Sequence, residues 1–397
     1  MIIQRPTYIT KLLGFKDKQL IKILTGVRRC GKSTLFEIYQ ERLFKEKVSK
    51  QQIQSINLED PLYRNLLNWE QLYDYINARL VNDKMNYIFI DEVQNVEDFQ
   101  KAADGLFIKK NVDLYLTGSN SKMQSGKWAT LLSGRYVEIK LFPLSFKEYS
   151  SVLVSNNKFD NFKHYLEDSS FPYALTLKND KKQIRDYLGG IYSTVVLKDV
   201  IENKKIRNIS RLECLIKFMA DNIGNLSSIK KISDTMVSDG LKILPLTIEN
   251  YIDAFCDSYI LYKTNRYDVK GKRLLKTLDK YYIVDIGLRY YLLGNTKADK
   301  GRVLENIVYL ELSRRGYNVY IGKNGDKEID FIAEGVDGIE YYQVADTVID
   351  PLTLKRELNS LDSVRDHNRK FLLTQDFEPN TSHNGIKQIN VIEWLLE

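Results

Sequence analysis

The chain has few of the residues that would place it in an oxidising compartment or a membrane. Its 397 residues hold three cysteines, Cys30, Cys214 and Cys256. They are scattered and odd in number, so they are no disulfide framework, and a reducing compartment is expected. The three histidines, His164, His367 and His383, lie far apart and lack cysteines at ligand spacing, which argues against zinc. No apolar run reaches the roughly 18 residues that a spanning helix needs. The opening Met-Ile-Ile-Gln-Arg-Pro has no apolar signal-peptide core. A cytoplasmic protein without membrane contact is the expectation. Seven prolines and no low-complexity tract suggest a chain folded throughout.

The length exceeds what one hydrophobic core usually serves and suggests two to four domains. A net charge of +7 over so long a chain permits contact with nucleic acid without requiring it.

The first third alternates strands and helices. Apolar runs at residues 20–25, 53–58, 87–90, 112–116 and 136–141 read as strands. Leu35, Ile38, Tyr39 and Leu43 mark one helix between them, and Leu72, Ile76 and Leu80 another. Alternation of this kind argues for an α/β fold with a parallel sheet covered on both faces. After Pro143 the pattern turns helical to about 222. Residues 211–278 read as three helices and two strands, and the remainder as a helix followed by mixed strands. The expected division is 1–145, 146–205, 206–297 and 298–397.

Gly26-Val27-Arg28-Arg29-Cys30-Gly31-Lys32-Ser33 fits G-x-x-x-x-G-K-S, follows a strand and opens a helix that continues with Thr34. Glycines at these places let the backbone wrap a phosphate chain with its N–H groups inward, and the helix start adds positive partial charge. The expected ligand is ATP with Mg²⁺, with Lys32 on the β- and γ-phosphates and Ser33 on the metal. Tyr87-Ile88-Phe89-Ile90-Asp91-Glu92 is an apolar strand that ends in two acids. Asp91 is placed to hold Mg²⁺ through water and Glu92 to polarise the attacking water. A third strand ends in Thr117-Gly118-Ser119-Asn120, at the sheet edge where ligands bind. Ser119 or Asn120 is the candidate sensor, and spacing does not choose between them. Arg135, after Gly134, is a candidate finger in cis or on a neighbouring subunit. Arg28 and Arg29 are placed to touch phosphate or a partner.

These segments, together with Ser133-Gly134-Arg135 and Pro143-Leu144-Ser145-Phe146, resemble a prokaryotic AAA-type P-loop ATPase family. The C-terminal half resembles that family's partner, domain of unknown function 4143. The residues that carry this are Lys280-Tyr281-Tyr282-Ile283-Val284-Asp285-Ile286-Gly287-Leu288, Leu304-Glu305-Asn306 and Glu328-Ile329-Asp330-Phe331. The resemblance implies an AAA core, a winged-helix-like middle and a restriction-endonuclease-like α/β end. Ser170-Phe171-Pro172 departs from it, since the family favours glycines before Phe-Pro.

In the middle region, helices are expected to start near Arg211, Ser228 and Leu246. The third offers Thr247, Glu249 and Asn250. A hairpin is expected at 258–262, then a basic wing with Arg266, Lys270, Lys272 and Arg273, suited to phosphates. Glu249 and Asp253 on the third helix would repel a DNA backbone. Double-stranded DNA and a protein partner both remain candidates, and an oligomer is compatible with either. In the end domain, Glu305, Asp330 and Gln343-Val344-Ala345 follow the layout of a metal-dependent nuclease. Ala345 stands where that chemistry needs lysine, so an inactive domain is expected. The function read from the sequence is ATP hydrolysis that switches the C-terminal domains, the alternative being an ATP-regulated DNA-binding protein.

Overall fold

The structure is a computed structural model that describes residues 2–119, 132, 134–153, 157–177, 180–201, 206, 208–294, 300–377 and 381–397. Asn120 and Ser133 lie outside the described residues. The chain divides into two compact units, Met1–Pro143 with Asp257–Tyr259, and Leu144–Cys256 with Ile260–Glu397.

The first unit is built on a five-stranded parallel sheet. Its strands are β1 (Ile21–Thr25), β2 (Ile53–Asn57), β3 (Asn86–Asp91), β4 (Val112–Gly118) and β5 (Tyr136–Lys140), in the order β2-β3-β4-β1-β5. Residues of β1, β3 and β4 are buried along their whole length, which is why they read as continuous apolar runs. The period of two divides them between faces. Ile21, Ile23, Ile88, Ile90, Leu114 and Leu116 share one aliphatic core with Leu72, Ile76 and Leu106, from helices Trp69–Asn77 and Phe99–Phe107. The opposite face is aromatic. Phe36 and Tyr39 of helix Lys32–Lys45 meet Phe89 and Tyr115 there, and the last two stack at 4.7 Å. That face also holds a buried ion pair between Lys22 and Asp113, to which the Tyr115 hydroxyl donates at 2.8 Å.

The second unit contains helices Ile209–Asp221, Ile229–Ser238 and Pro245–Asp257. Asn208 caps the first by accepting from Arg211 N at 3.1 Å, and Ser228 caps the second by accepting from Lys231 N at 3.2 Å. The hairpin that follows is longer than expected and begins three residues later. It comprises β6 (Leu261–Asp268) and β7 (Arg273–Ile283), with the basic residues Lys270 and Lys272 at its tip. The expected end at Tyr262 mistook the last apolar residue for the last strand residue, whereas the strand continues through alternately exposed polar positions. The hairpin is also the edge of a larger sheet. β6 pairs in parallel with β8 (Asn318–Asn324). The sheet continues through β9 (Lys327–Gly335), β10 (Gly338–Val344), β11 (Arg369–Thr374), β13 (Ile386–Asn390) and β12 (Thr381–His383). Among the described residues, no helix is long and apolar enough to cross a membrane.

Two of the family-like motifs are packing devices. Asp285 accepts from Ser170 N at 2.7 Å, from the Ser169 and Ser170 hydroxyls, and from Leu288 N, which caps helix Ile286–Leu293. The serines at the unusual Ser170-Phe171-Pro172 thus supply hydroxyls to a buried carboxylate. Burial pushes the Asp285 carboxyl up from its ordinary value, against the pull of these donors. A Cβ at Gly287 would lie 1.7 Å from the Asp168 carbonyl oxygen. Gly287→Ala is therefore expected to destabilise the second unit by at least about 1–3 kcal/mol. Gly190→Ala, on an exposed helical position with open space around it, should stabilise by about 1 kcal/mol. Calorimetry of the two variants checks both signs, and a neutral Gly287→Ala would refute the packing account.

Candidate functional site

The phosphate loop leaves β1 at the C-terminal edge of the parallel sheet. Gly26 has φ +146°, and a Cβ there would sit 2.1 Å from the Leu141 carbonyl oxygen, so only glycine lets the loop pass the chain after β5. Arg29 and Gly31 take left-handed φ of 64° and 101°, which turns successive amides towards one side. Helix Lys32–Lys45 starts at Gly31, and no side chain caps it, so its first-turn N–H groups remain on offer to an anion. Val27 and Cys30 are buried beneath the loop and contribute backbone rather than side chains. Burial raises the Cys30 thiol's pKa despite nearby Lys32 and Arg5, so it is no reactive thiolate. Arg29, Ser33 and Thr34 are exposed.

The buried Lys32 ammonium donates to the Gly26 and Val27 carbonyl oxygens at 3.0 and 3.3 Å and lies 3.6 Å from Glu92 Oε1. Strand order explains this convergence. β4 lies between β1 and β3, so the loop after β1 and the acids at the end of β3 flank the end of β4. That end supplies the connecting hydroxyls. Thr117 Oγ1 bonds the Asp91 carboxylate and accepts from Glu92 N at 2.9 Å, while Ser119 Oγ donates to Glu92 Oε2 at 2.8 Å. The Gln94 side-chain amide also donates to Glu92. Glu92 has φ 55°, a left-handed value that costs about 1 kcal/mol or more for a non-glycine residue. The strained backbone aims its carboxylate back over the sheet edge.

The two acids differ electrostatically. Burial raises the pKa of Asp91 above the carboxylate norm, against the hydrogen bonds from Ser33 and Thr117. For Glu92 burial also pushes upward, but Lys32, Gln94, Ser119 and Arg28 together outweigh it and hold its pKa below normal. Glu92 is thus a stable carboxylate. The Ser33 hydroxyl donates to the Asp91 carboxylate. These are two oxygen donors of the kind Mg²⁺ prefers, and the glycine cradle beside them suits a phosphate chain.

Of the sequence candidates, the structure brings together Gly26 to Ser33, Asp91, Glu92 and Ser119. Asn120 is outside the described residues. Arg135 is elsewhere. Ile21 pairs with Tyr136 and Thr25 with Lys140, so Arg135 precedes the start of β5, at the opposite end from the loop. The separation is about 16 Å along the strand. Its guanidinium lies 3.3 Å from Asp104 and over the Phe107 ring. Sequence reasoning missed Thr117, whose place beside the two acids that end β3 shows only once β4 is known to lie beside β3.

A second cluster lies in the C-terminal unit. Glu305 on helix Lys300–Arg315 accepts from Lys280 Nζ at 2.9 Å and from the Tyr282 hydroxyl at 2.7 Å. Lys280 also pairs with Glu328 at 2.9 Å. Asp330 accepts from Val344 N at 2.8 Å, and Gln343 donates to Glu357 at 2.8 Å. Burial and then Glu305 push the Asp330 carboxyl far up. Burial opposes the Lys280 ammonium, but Glu305, Asp330 and Glu328 overcome it and raise its pKa. Lys280 is thus the cation among these acids, although it lies on β7 rather than beside Ala345. Sequence reading missed it because β7 was assigned to a separate domain.

A family model described as an AAA domain matches residues 18–150, and one described as a domain of unknown function (DUF8612) matches residues 159–299. The second corrects the expectation of domain 4143. Residues 280–288, which suggested that domain, fall within the DUF8612 match, and their roles here are the packing of Asp285 and Gly287 and the ion pair of Lys280. An uncharacterized protein of Haemophilus influenzae is 37% identical over 401 residues, covering 100% of this chain and 99% of that protein. An uncharacterized protein of Methanocaldococcus jannaschii is 32% identical over 346 residues, covering 79% of this chain and 72% of that protein. Among solved structures, the Walker-type ATPase PABY2304 of Pyrococcus abyssi is similar at 16% identity with a TM-score of 0.49, covering 73% of this chain and 96% of that one. The parallel sheet, phosphate loop and AAA match define the class: an AAA-type nucleotide-binding P-loop ATPase. Within that class, the chain belongs to the family of the Haemophilus influenzae protein.

Replacing Lys280 by Met leaves Glu305 and Asp330 buried without their cation. We expect a loss of about 3–5 kcal/mol in the transition of the second unit, measured by calorimetry. The double variant Lys280→Met/Glu305→Gln should recover part of that loss. A single variant as stable as wild type would remove Lys280 from this role.

Proposed function

We propose that this protein binds ATP with Mg²⁺, hydrolyses it, and uses the cycle to switch the conformation of its C-terminal domains. The observation that carries the reading is the approach of Lys32 to Glu92 at 3.6 Å, with Ser33 and Asp91 paired beside them. The loop amides and Lys32 hold the phosphates. Ser33 and Asp91 hold the metal, which supplies positive charge against the phosphate oxygens. Glu92, kept ionised by its neighbours, orients the attacking water and accepts its proton. Ser119 fixes the Glu92 carboxylate, and Asn120 remains the alternative sensor. Arg135, at the far end of β5 from its own loop, serves a neighbouring subunit's nucleotide. In this reading residues 1–145 form the ATPase, 146–205 a helical connector, 206–297 a winged-helix-like domain and 298–397 an endonuclease-like domain. The last does not cut, because Ala345 carries no amine and Lys280 is committed to Glu305 and Glu328.

A second reading, ATP-regulated DNA binding, has one specific support. Lys270, Lys272 and Arg273 stand exposed at the β6–β7 tip, while the exposed Glu249 and Asp253 turn the third helix away from a phosphate backbone. DNA contact would fall to the wing alone.

Steady-state phosphate release separates these readings. Glu92→Gln should keep nucleotide binding and lose about 10²–10⁴-fold in kcat, and Lys32→Ala should lose binding as well. Unchanged rates in both variants would end the hydrolysis reading. If Arg135 acts across subunits, the rate per chain rises with protein concentration and Arg135→Ala flattens that rise. For the second reading, Lys270→Glu/Arg273→Glu should weaken double-stranded DNA binding and lower the salt slope by about two or more. No wild-type binding at low salt would sink it.

A further inference from the structure

Arg28, at the tip of the phosphate loop, donates from Nη1 to Glu59 Oε1 at 2.7 Å. The two ends of this contact belong to distant parts of the sheet. The loop follows β1, whereas Glu59 follows β2. In the order β2-β3-β4-β1-β5, two strands separate them, or about 14 Å between β1 and β2. Those two strands are β4 and β3, whose ends carry Ser119, Asp91 and Glu92. The Arg28–Glu59 pair therefore crosses the mouth of the candidate catalytic edge. It also lies close enough to Glu92 to help hold that carboxyl's pKa down.

The pair is placed to open. The Glu59 side chain is 49% exposed and that of Arg28 21%. An ion pair so accessible to water contributes little. A guanidinium binds phosphate more strongly, through charge-assisted and often bidentate hydrogen bonds. Glu59 is itself held at the edge, since its N–H donates to Asn57 Oδ1 at 3.0 Å. Asn57 is in register with Asp91.

We propose that Arg28 is the arginine that reads the terminal phosphate in cis, with Glu59 as its counter-ion in the nucleotide-free state. A nucleoside triphosphate draws Arg28 from Glu59 to the phosphate nearest Glu92, and a diphosphate leaves the pair closed. Arg28 thereby distinguishes the two nucleotides and couples this to the segment that begins at Glu59. The proposal rests on the ATPase reading, and its test separates the two.

The experiment is equilibrium binding of fluorescent AMP-PNP and fluorescent ADP, each with Mg²⁺, to wild type, Arg28→Ala, Arg28→Lys, Glu59→Gln and Lys32→Ala. We expect Arg28→Ala to weaken AMP-PNP about 10- to 100-fold while ADP changes less than about 3-fold. ADP binding also reports an intact loop. Arg28→Lys should fall between, and Glu59→Gln should tighten AMP-PNP a few-fold. Equal losses for both nucleotides in Arg28→Ala would make Arg28 a scaffold of the loop and overturn the proposal, as would no change for either. A wild type that binds neither nucleotide overturns the ATPase reading and this proposal with it. A wild type that binds both but does not hydrolyse ATP ends the hydrolysis reading alone, and the AMP-PNP to ADP ratio still decides the role of Arg28.

Discussion

The candidate catalytic edge depends on the hydrogen-bond ladder that seats β4 between β1 and β3. Two strand spacings separate the phosphate loop from the acid pair, about 10 Å, and the end of β4 fills that gap with Thr117 and Ser119. Their hydroxyls link groups that no local sequence brings together: Thr117 to Asp91 and to the Glu92 amide, Ser119 to the Glu92 carboxylate. The strained φ of Glu92 is tolerable because these bonds over-determine its position. The same ladder sends β1, β3 and β4 through the interior with every residue buried, so the polar side chains among them must find partners. Lys22 and Asp113 do so on the aromatic face, with Tyr115 and Tyr39 extending the network. A charged pair sealed from water adds little net stability because of its desolvation cost, yet removing one partner would be costly. Here it stands well below the edge that the phosphate loop occupies.

The C-terminal unit shows how one cation decides the character of a carboxylate cluster. Glu305, Glu328 and Asp330 converge from a helix and a strand, an arrangement whose mutual repulsion would be costly without compensation. Lys280 compensates, entering from β7, and Tyr282 adds a hydroxyl to Glu305 from the same strand. Asn306, next to Glu305, exchanges two hydrogen bonds with the backbone of Ile283, which fixes the helix against β7. The cluster, the helix and the hairpin strand therefore form one construction, and the sheet runs without interruption from hairpin to C-terminal strands.

The sequence made the ATPase core legible because its signals are local. Apolar runs marked all five parallel strands, and a loop motif between a strand and a helix marked the phosphate site. Asp91 and Glu92 stood out because acids rarely close a buried strand. Interactions between distant segments were illegible. Thr117 looked like any strand-end residue until β4 was found beside β3. Lys280 stood in a family-like stretch assigned to the domain at 206–297, 25 residues before the glutamate it neutralises in the next one. The hairpin itself was cut short at Tyr262, because β6 alternates with exposed Lys263 and Asn265 and so loses the apolar run that identifies a strand buried on both faces. Glu59 carried no signal at all, since its meaning comes from an arginine 31 residues earlier.

The direction of the strands also divides the arginines. β5 runs parallel to β1, so a residue just before β5 and a loop just after β1 necessarily lie at opposite ends of the sheet. Arg135 can meet a nucleotide only where the N-terminal edge of one sheet faces the C-terminal edge of another. Such a contact is heterologous, joining two different surfaces, and it either closes into a ring or continues as a filament. Arg28 carries no such requirement, because it already sits at its own chain's catalytic edge. In the proposed mechanism, nucleotide discrimination is therefore a property of the single chain, through Arg28 and Glu59, whereas acceleration by Arg135 is a property of the assembly. Binding and hydrolysis then depend on different arginines, and the two can be varied independently.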